Sequence, residues 1–197
     1  MNRRTTALVA AGIGLIAATS AKTVSEAHSA ERVPYEVVDR LDGVELRRYP
    51  ETLLVETTAP DERTAFNRLR GYLCATNATA EELAMTAPVK TGIKANRTET
   101  SVTMAFYLPS AYTLETAPVP TNSSVRLVTE PKRTLGIVSF SWYATRRRTE
   151  RAAADFDDTL AEHGIIPAKS PFLFRYDPPL TPPFLRTNEV AIEIEER

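Results

Sequence analysis

The feature that most constrains this chain is a repeated order of secondary-structure elements. Residues 35–38 and 44–49 read as short strands around the turn pair Asp42-Gly43, and 52–58 is a β-branched run that reads as a third strand. Pro60-Asp61 then opens a helix over 62–75, with Asp61 as N-cap and Phe66, Leu69 and Leu73 at helical spacing beside Ala65 and Tyr72. Strands follow at 85–93 and 101–108; in the second, Val102, Met104 and Phe106 alternate with Thr103, Ala105 and Tyr107. The order then recurs: strands at 125–129 and 134–143 around Pro131, a helix over 147–163 stopped by Gly164, and strands at 172–176 and 189–195. Between the last two lies a stretch too rich in proline for regular structure, Asp177-Pro-Pro-Leu-Thr-Pro-Pro-Phe184.

A sequence echo accompanies the repeat. Val44-x-Leu46-x3-Pro50 returns as Val125-x-Leu127-x3-Pro131, and Thr52-Leu53 as Thr134-Leu135. Paired strands around a single helix in each half predict an internally duplicated α+β domain with an antiparallel sheet and two helices packed on it. A pseudo-two-fold arrangement of this kind predicts a cleft between the halves for a small ligand.

Composition narrows the function. The 197 residues carry 24 Lys+Arg against 25 Asp+Glu, a formal charge of −1, which predicts no nucleic-acid footprint. One cysteine makes no internal disulfide and no Cys-rich zinc site, and two histidines leave little for a His-based metal centre or a catalytic triad. No Gly-rich phosphate loop is present.

The first thirty residues read as an address. Arg3 and Arg4 precede an uncharged apolar run from 7 to 18, and small residues follow. That is the pattern of a secretory signal peptide, with cleavage after 21, 27 or 30 and a folded domain over 31–197; the run is too short for a spanning helix. The expected location is therefore periplasmic or extracellular, with membrane anchoring through an uncleaved N-terminus as the alternative. Cleavage after Ala30 also removes His28, which leaves His163 alone. Cys74 is then a single thiol, expected to be buried and inert.

Three segments carry more than pattern: Val44-Glu-Leu-Arg-Arg-Tyr-Pro50, Ala84-Met-Thr-Ala-Pro-Val89, and Tyr176-Asp-Pro-Pro-Leu-Thr-Pro-Pro-Phe-Leu-Arg-Thr-Asn-Glu-Val190. In this order and spacing, with Gly71-Tyr72, Asn77 and Pro109-Ser110, the chain resembles the SOUL haem-binding family from about residue 35 to 195. The resemblance implies a distorted, barrel-like antiparallel sheet with two helices, similar to effector-binding and gyrase-inhibitor-like domains. It implies haem or a related tetrapyrrole as ligand, held against the first helix and the Pro-rich loop, and a carrier or buffer in place of an enzyme.

Onto this sequence the resemblance places Arg63, Phe66, Arg70 and Thr181 as ligand-binding positions, with Leu73 as further apolar wall. Arg63 and Arg70 lie two helical turns apart on nearly one face, suited to paired propionates. Thr181 and Gly71 stand where some members carry lysine, and Arg48 stands where some carry a candidate axial histidine. His163, at a helix end, is a weak metal-ligand candidate; Tyr49, Tyr72, Met85 and Cys74 are further ones that read first as scaffold. Binding through apolar contacts and propionates without a protein–iron bond is the coherent form.

Two other functions stay open: a hydrolase of small lipophilic compounds, which needs a buried glutamate facing the cleft, and a protein-interaction module, which needs a cleft filled by the chain itself. Trp142, Phe140 and Tyr143 read as core at a strand end, and Arg146, Arg147, Arg148 and Arg151 as a solvated face or a site for an anion or acidic lipid. Asn77, Asn96 and Asn122 head glycosylation acceptor triplets.

Overall fold

A computed structural model describes residues 30–93 and 100–195. The expected leader and Asn96 lie outside the described residues, apart from Ala30. In chain order the elements are β1 (Glu36–Leu41), β2 (Val44–Tyr49), β3 (Thr52–Ala59), α1 (Glu62–Leu73), β4 (Val89–Gly92), β5 (Val102–Tyr107), β6 (Val125–Glu130), β7 (Arg133–Phe140), α2 (Arg146–Glu162), β8 (Phe172–Arg175), a 3-10 turn (Pro183–Leu185) and β9 (Asn188–Glu193).

Local chemistry sets most of these boundaries. Asp42 and Gly43 both have positive φ (36° and 88°), the geometry that a two-residue hairpin between Leu41 and Val44 requires. The Asp61 carboxylate accepts the Thr64 amide at 2.8 Å and so caps α1. Two expected strands are shorter than their apolar runs. β4 begins only at Val89, because Pro88 has no amide to give the ladder and the preceding Ala87 pairs with the N-terminal segment at Arg32. β7 ends at Phe140, and Trp142 turns off the sheet with φ of 77°.

All nine strands form one antiparallel sheet in the order β1-β2-β7-β9-β8-β4-β5-β3-β6. The duplication is visible in the pairing. With β2 matched to β6, β3 to β7, β4 to β8 and β5 to β9, the pair β2·β7 is answered by β6·β3 and β7·β9 by β3·β5. The β4·β8 pair spans the pseudo-two-fold axis, and β1 is an addition at one end.

This order forces the sheet to roll. Only Pro50 and Glu51 join β2 to β3, a reach of at most ~11 Å. In a flat sheet those strands would stand about 29 Å apart, six strand spacings. The same holds for β6 and β7 across Pro131 and Lys132. The sheet therefore curls into an unclosed barrel.

Each helix packs on the outside. α1 buries Ala65, Leu69, Tyr72 and Leu73 against Val55, Val102, Met104 and Phe106. α2 buries Ala153, Phe156 and Leu160 against Val44, Val190 and Ile192. Phe156 reaches the sheet at Gly136, where a Cβ would stand 2.8 Å from the ring. Inside the curl, Leu54, Tyr107, Leu135, Ile137 and Phe174 fill the centre. Asn77 is buried just past α1, and its amide donates to the Tyr72 and Glu81 carbonyls (2.9 and 2.7 Å), so it is no sugar acceptor in the folded chain.

Two sequence expectations fail here. Cys74 is exposed, because α1 ends at Leu73 and its thiol falls beyond the face that packs on the sheet. Trp142 and Tyr143 are about half exposed instead of core, because the chain leaves β7 before reaching them.

Candidate functional site

A cleft of about 380 Å³ opens between α1 and the loop that follows β8. Phe66 forms its helix wall. Met85, Thr86 and Ala87, just before β4, form its floor with Val89 and Met104. Tyr176, Asp177, Pro178 and Pro179 form the opposite wall. The lining is mostly apolar, as a small-molecule site requires.

The walls are held before any ligand arrives. Phe66 packs edge-on against Phe106 with centroids 5.4 Å apart, which fixes its ring. Arg175 grips Glu62 in a two-pronged ion pair (2.7 and 3.0 Å) and so ties the end of β8 to the first turn of α1. The Pro-rich loop cannot use a regular backbone ladder, so side chains brace it. Asp177 accepts the Thr187 amide at 2.6 Å, and Arg186 donates to the carbonyls of Thr181 (2.9 Å) and Pro179.

Behind the Tyr176 wall lies a buried charge network. The Tyr176 hydroxyl donates to Glu189 at 2.7 Å; Arg47 pairs with Glu189 at 3.0 Å and with Glu45 at 2.7 Å. Ser139 also donates to Glu189 (3.2 Å), and the Arg47 guanidinium covers the Tyr35 ring at 4.3 Å. Arg47 and Glu189 are both buried, so each neutralises a charge the other could not leave unpaired. Burial and the adjacent Glu189 charge hold the Tyr176 phenol far above its ordinary range, and burial pushes Tyr49 up to about 12. Both stay neutral at physiological pH. A second network joins Lys90, Tyr107, Arg133 and Glu130; Tyr107 donates to Glu130 at 3.1 Å. Burial works against the Glu130 charge, but Arg133 and Lys90 outweigh it and hold its carboxyl below the ordinary value.

The structure sorts the residues singled out from sequence. Phe66 lines the cleft. Arg63 and Arg70 are exposed on α1, three residues before and four after Phe66, and so share its side of the helix, outside the lining itself. Leu73 lies in the core under α1, and Thr181 is buried in the Pro-rich loop with its carbonyl taken by Arg186. His163 caps α2 and contacts Asp42 at 2.8 Å, away from the cleft lining. Sequence reasoning named Met85 only as a possible iron ligand and the Pro-rich loop only as a whole, and it did not single out Met104, Tyr176 or Pro178 as lining. Their signal was available: the segments around Ala84–Val89 and Tyr176–Pro179 were set apart as motifs, and they supply floor and wall.

The expected cleft between the halves also exists, as a depression of about 370 Å³ between the starts of α1 and α2. Its lining is of mixed charge, with Asp61, Glu62 and Glu150 beside Arg146 and Arg175. Among the described residues no group of three or more His, Cys, Asp or Glu could hold a metal ion. The soft donors at the apolar cleft are the thioethers of Met85, exposed, and Met104, buried.

Comparison with known proteins agrees with this architecture. A hydrolase from Listeria innocua superposes with a TM-score of 0.59 at 12% identity, over 80% of this chain and 94% of that one. The EcmrR C-terminal domain superposes with a TM-score of 0.55 at 14% identity, over 83% and 99%. At such identities these likenesses speak for the fold alone. No curated protein sequence gives a significant match. The profile of the family described as SOUL heme-binding protein matches residues 30–193, nearly all of the described chain. The chain is a member of the SOUL heme-binding protein family.

Proposed function

We propose that this protein is an exported, non-enzymatic carrier or buffer of haem or a related tetrapyrrole. The observation that carries this reading is the preformed apolar cleft between Phe66 and residues 176–179, in a chain of a haem-binding family. One edge of a flat macrocycle enters between Phe66 and the Tyr176–Pro178 wall, with Met85 beneath it. The outer edge carries the propionates toward Arg63 and Arg70, whose guanidinium groups suit charge-assisted hydrogen bonds to carboxylates. Among the described residues no histidine lines the cleft, and affinity rests on apolar contact and propionate pairing. The basic and apolar N-terminal segment supports export.

A hydrolytic function needs a carboxylate available to move a proton at the cleft. The lining carboxylate is Asp177, which accepts the Thr187 amide at 2.6 Å, and behind Tyr176 the oxygens of Glu189 are engaged by Arg47, Tyr176 and Ser139. That commitment favours binding over hydrolysis.

The test is titration of the purified protein with hemin and with metal-free protoporphyrin, followed by Soret absorbance and quenching of intrinsic emission. Saturable binding of both with similar affinity is expected. Arg63→Ala with Arg70→Ala should weaken binding by about tenfold or more, since each lost charge-assisted bond is worth roughly 1.5–3 kcal/mol. Phe66→Ala should weaken it too, and His163→Ala should leave it unchanged. Absence of a saturable Soret change, or its loss on His163→Ala alone, refutes the reading.

A further inference from the structure

Exposed apolar side chains gather on one side of this protein. Trp142, Tyr143, Leu180, Phe184 and Leu185 are each 49–65% exposed. They sit on two loops far apart in sequence but joined in space. The Trp142 amide donates to the Pro183 carbonyl at 2.9 Å, the Asn188 side chain donates to the Trp142 carbonyl at 2.8 Å, and Arg186 stacks over the Tyr143 ring at 4.6 Å. Together they present roughly 500 Å² of apolar surface, near the upper end of what soluble monomers expose.

The backbone holds this patch outward. Trp142 has φ of 77°, a left-handed conformation unfavourable for a bulky residue. The hydrogen bonds on either side of it lock that conformation and keep the indole at the surface instead of in the core.

Cations border the apolar tips. α2 opens on Arg146, Arg147 and Arg148, with no acidic residue in its first turn, although cations there oppose the helix dipole. Arg148 lies over the Trp142 ring at 5.5 Å. Residues 142–151 carry four arginines and one glutamate in a chain whose formal charge is −1. Within the helix Arg146 pairs with Glu150 (2.5 Å) and Arg151 with Asp155 (3.8 Å), which leaves the placement of Arg147 and Arg148 to be explained by a negatively charged partner.

We propose that this patch docks the protein on an anionic lipid surface. Trp142, Tyr143 and Phe184 enter the headgroup region with the two leucines, and the arginines of α2 and Arg186 meet lipid phosphates. Amphipathic aromatic rings favour that interface, and clustered arginines are drawn to an anionic leaflet. The surface is independent of the tetrapyrrole reading, so either can fail without the other.

The chain contains a single tryptophan, so its emission reports this site alone. The full-length protein is mixed with vesicles of phosphatidylcholine plus phosphatidylglycerol, or of phosphatidylcholine only. With the anionic vesicles, Trp142 emission should shift to the blue and be quenched by brominated acyl chains. The effect should weaken as salt is raised and be at least about tenfold weaker on the neutral vesicles. Phe184→Ser with Leu185→Ser, both exposed positions, should lose the quenching while thermal unfolding is unchanged. Arg147→Glu with Arg148→Glu should lower partitioning by about tenfold or more. Unshifted Trp142 emission overturns the proposal even if the protein sediments with vesicles, since another segment then holds it. Equal binding to neutral vesicles overturns it as well. Self-association abolished by the double serine variant, without a response to vesicles, would assign the patch to a protein contact instead.

Discussion

Gly136→Ala tests the seam between the two layers of the second half. Gly136 lies in β7 beneath α2, and a Cβ added there stands 2.8 Å from Phe156 Cζ, 3.2 Å from Cε2 and 3.8 Å from Leu160 Cδ2. Two effects oppose each other. Replacing glycine restricts the unfolded chain, which by itself stabilises by about 0.4–1 kcal/mol. Overpacking a filled core costs about 1–3 kcal/mol. Phe156 is fully buried and boxed by Val44, Val190 and Ile192, so the ring cannot swing away and the steric cost wins. The net expected loss is about 1–2 kcal/mol, or roughly 2–8 °C in thermal midpoint for a chain of this size. Urea unfolding of Gly136→Ala, Phe156→Leu and the double variant completes a cycle. Shortening the ring makes room for the methyl, so the double variant should lose less than the sum by about 1 kcal/mol. A stabilised or neutral Gly136→Ala, or strictly additive losses, would refute the packing argument.

Other expectations follow from single side chains. Glu189→Gln leaves Arg47 buried without its main partner; the loss in urea unfolding should fall at the lower end of roughly 3–5 kcal/mol, because Glu45 still pairs with Arg47, and a loss below about 1 kcal/mol contradicts the network. Glu130 has its folded pKa depressed from the ordinary 4.5, so its contribution is present above that value and is lost as pH falls through the folded one. Urea midpoints should therefore drop more steeply below about pH 5 in the native protein than in Glu130→Gln; identical slopes exclude the effect. Cys74 is exposed, so one equivalent of thiol should react with a disulfide reagent without denaturant, whereas labelling only after unfolding would place it inside.

Much of the fold is local in origin, and those parts are legible in the chain. The Asp42-Gly43 hairpin, the Asp61 cap, the alternation of Val102, Met104 and Phe106, and the stop at Gly164 each depend on a few neighbours. The echo between 44–53 and 125–135 goes further, because duplicated segments pair by symmetry: β2 with β7, and β6 with β3. Even the rolling of the sheet follows once that pairing is known, since two-residue links must span its opposite ends. Where an apolar run ended in a Pro or a backbone reversal, as at Pro88 and Trp142, periodicity overestimated the strand.

By itself the sequence determined the duplicated α+β architecture, which rests on spacing and short-range propensity, while the motifs it shares with a known family pointed to the segments that build the cleft. Only the tertiary structure decided which side chains meet. It joined Arg47 to Glu189 across 142 residues, set Phe66 opposite Tyr176, left Arg63 and Arg70 outside the cleft lining, and tied Trp142 to Pro183 on the surface. Such pairings depend on how the sheet rolls and where its loops cross. A residue's type fixes what it can bond to, and the fold alone fixes what lies within reach.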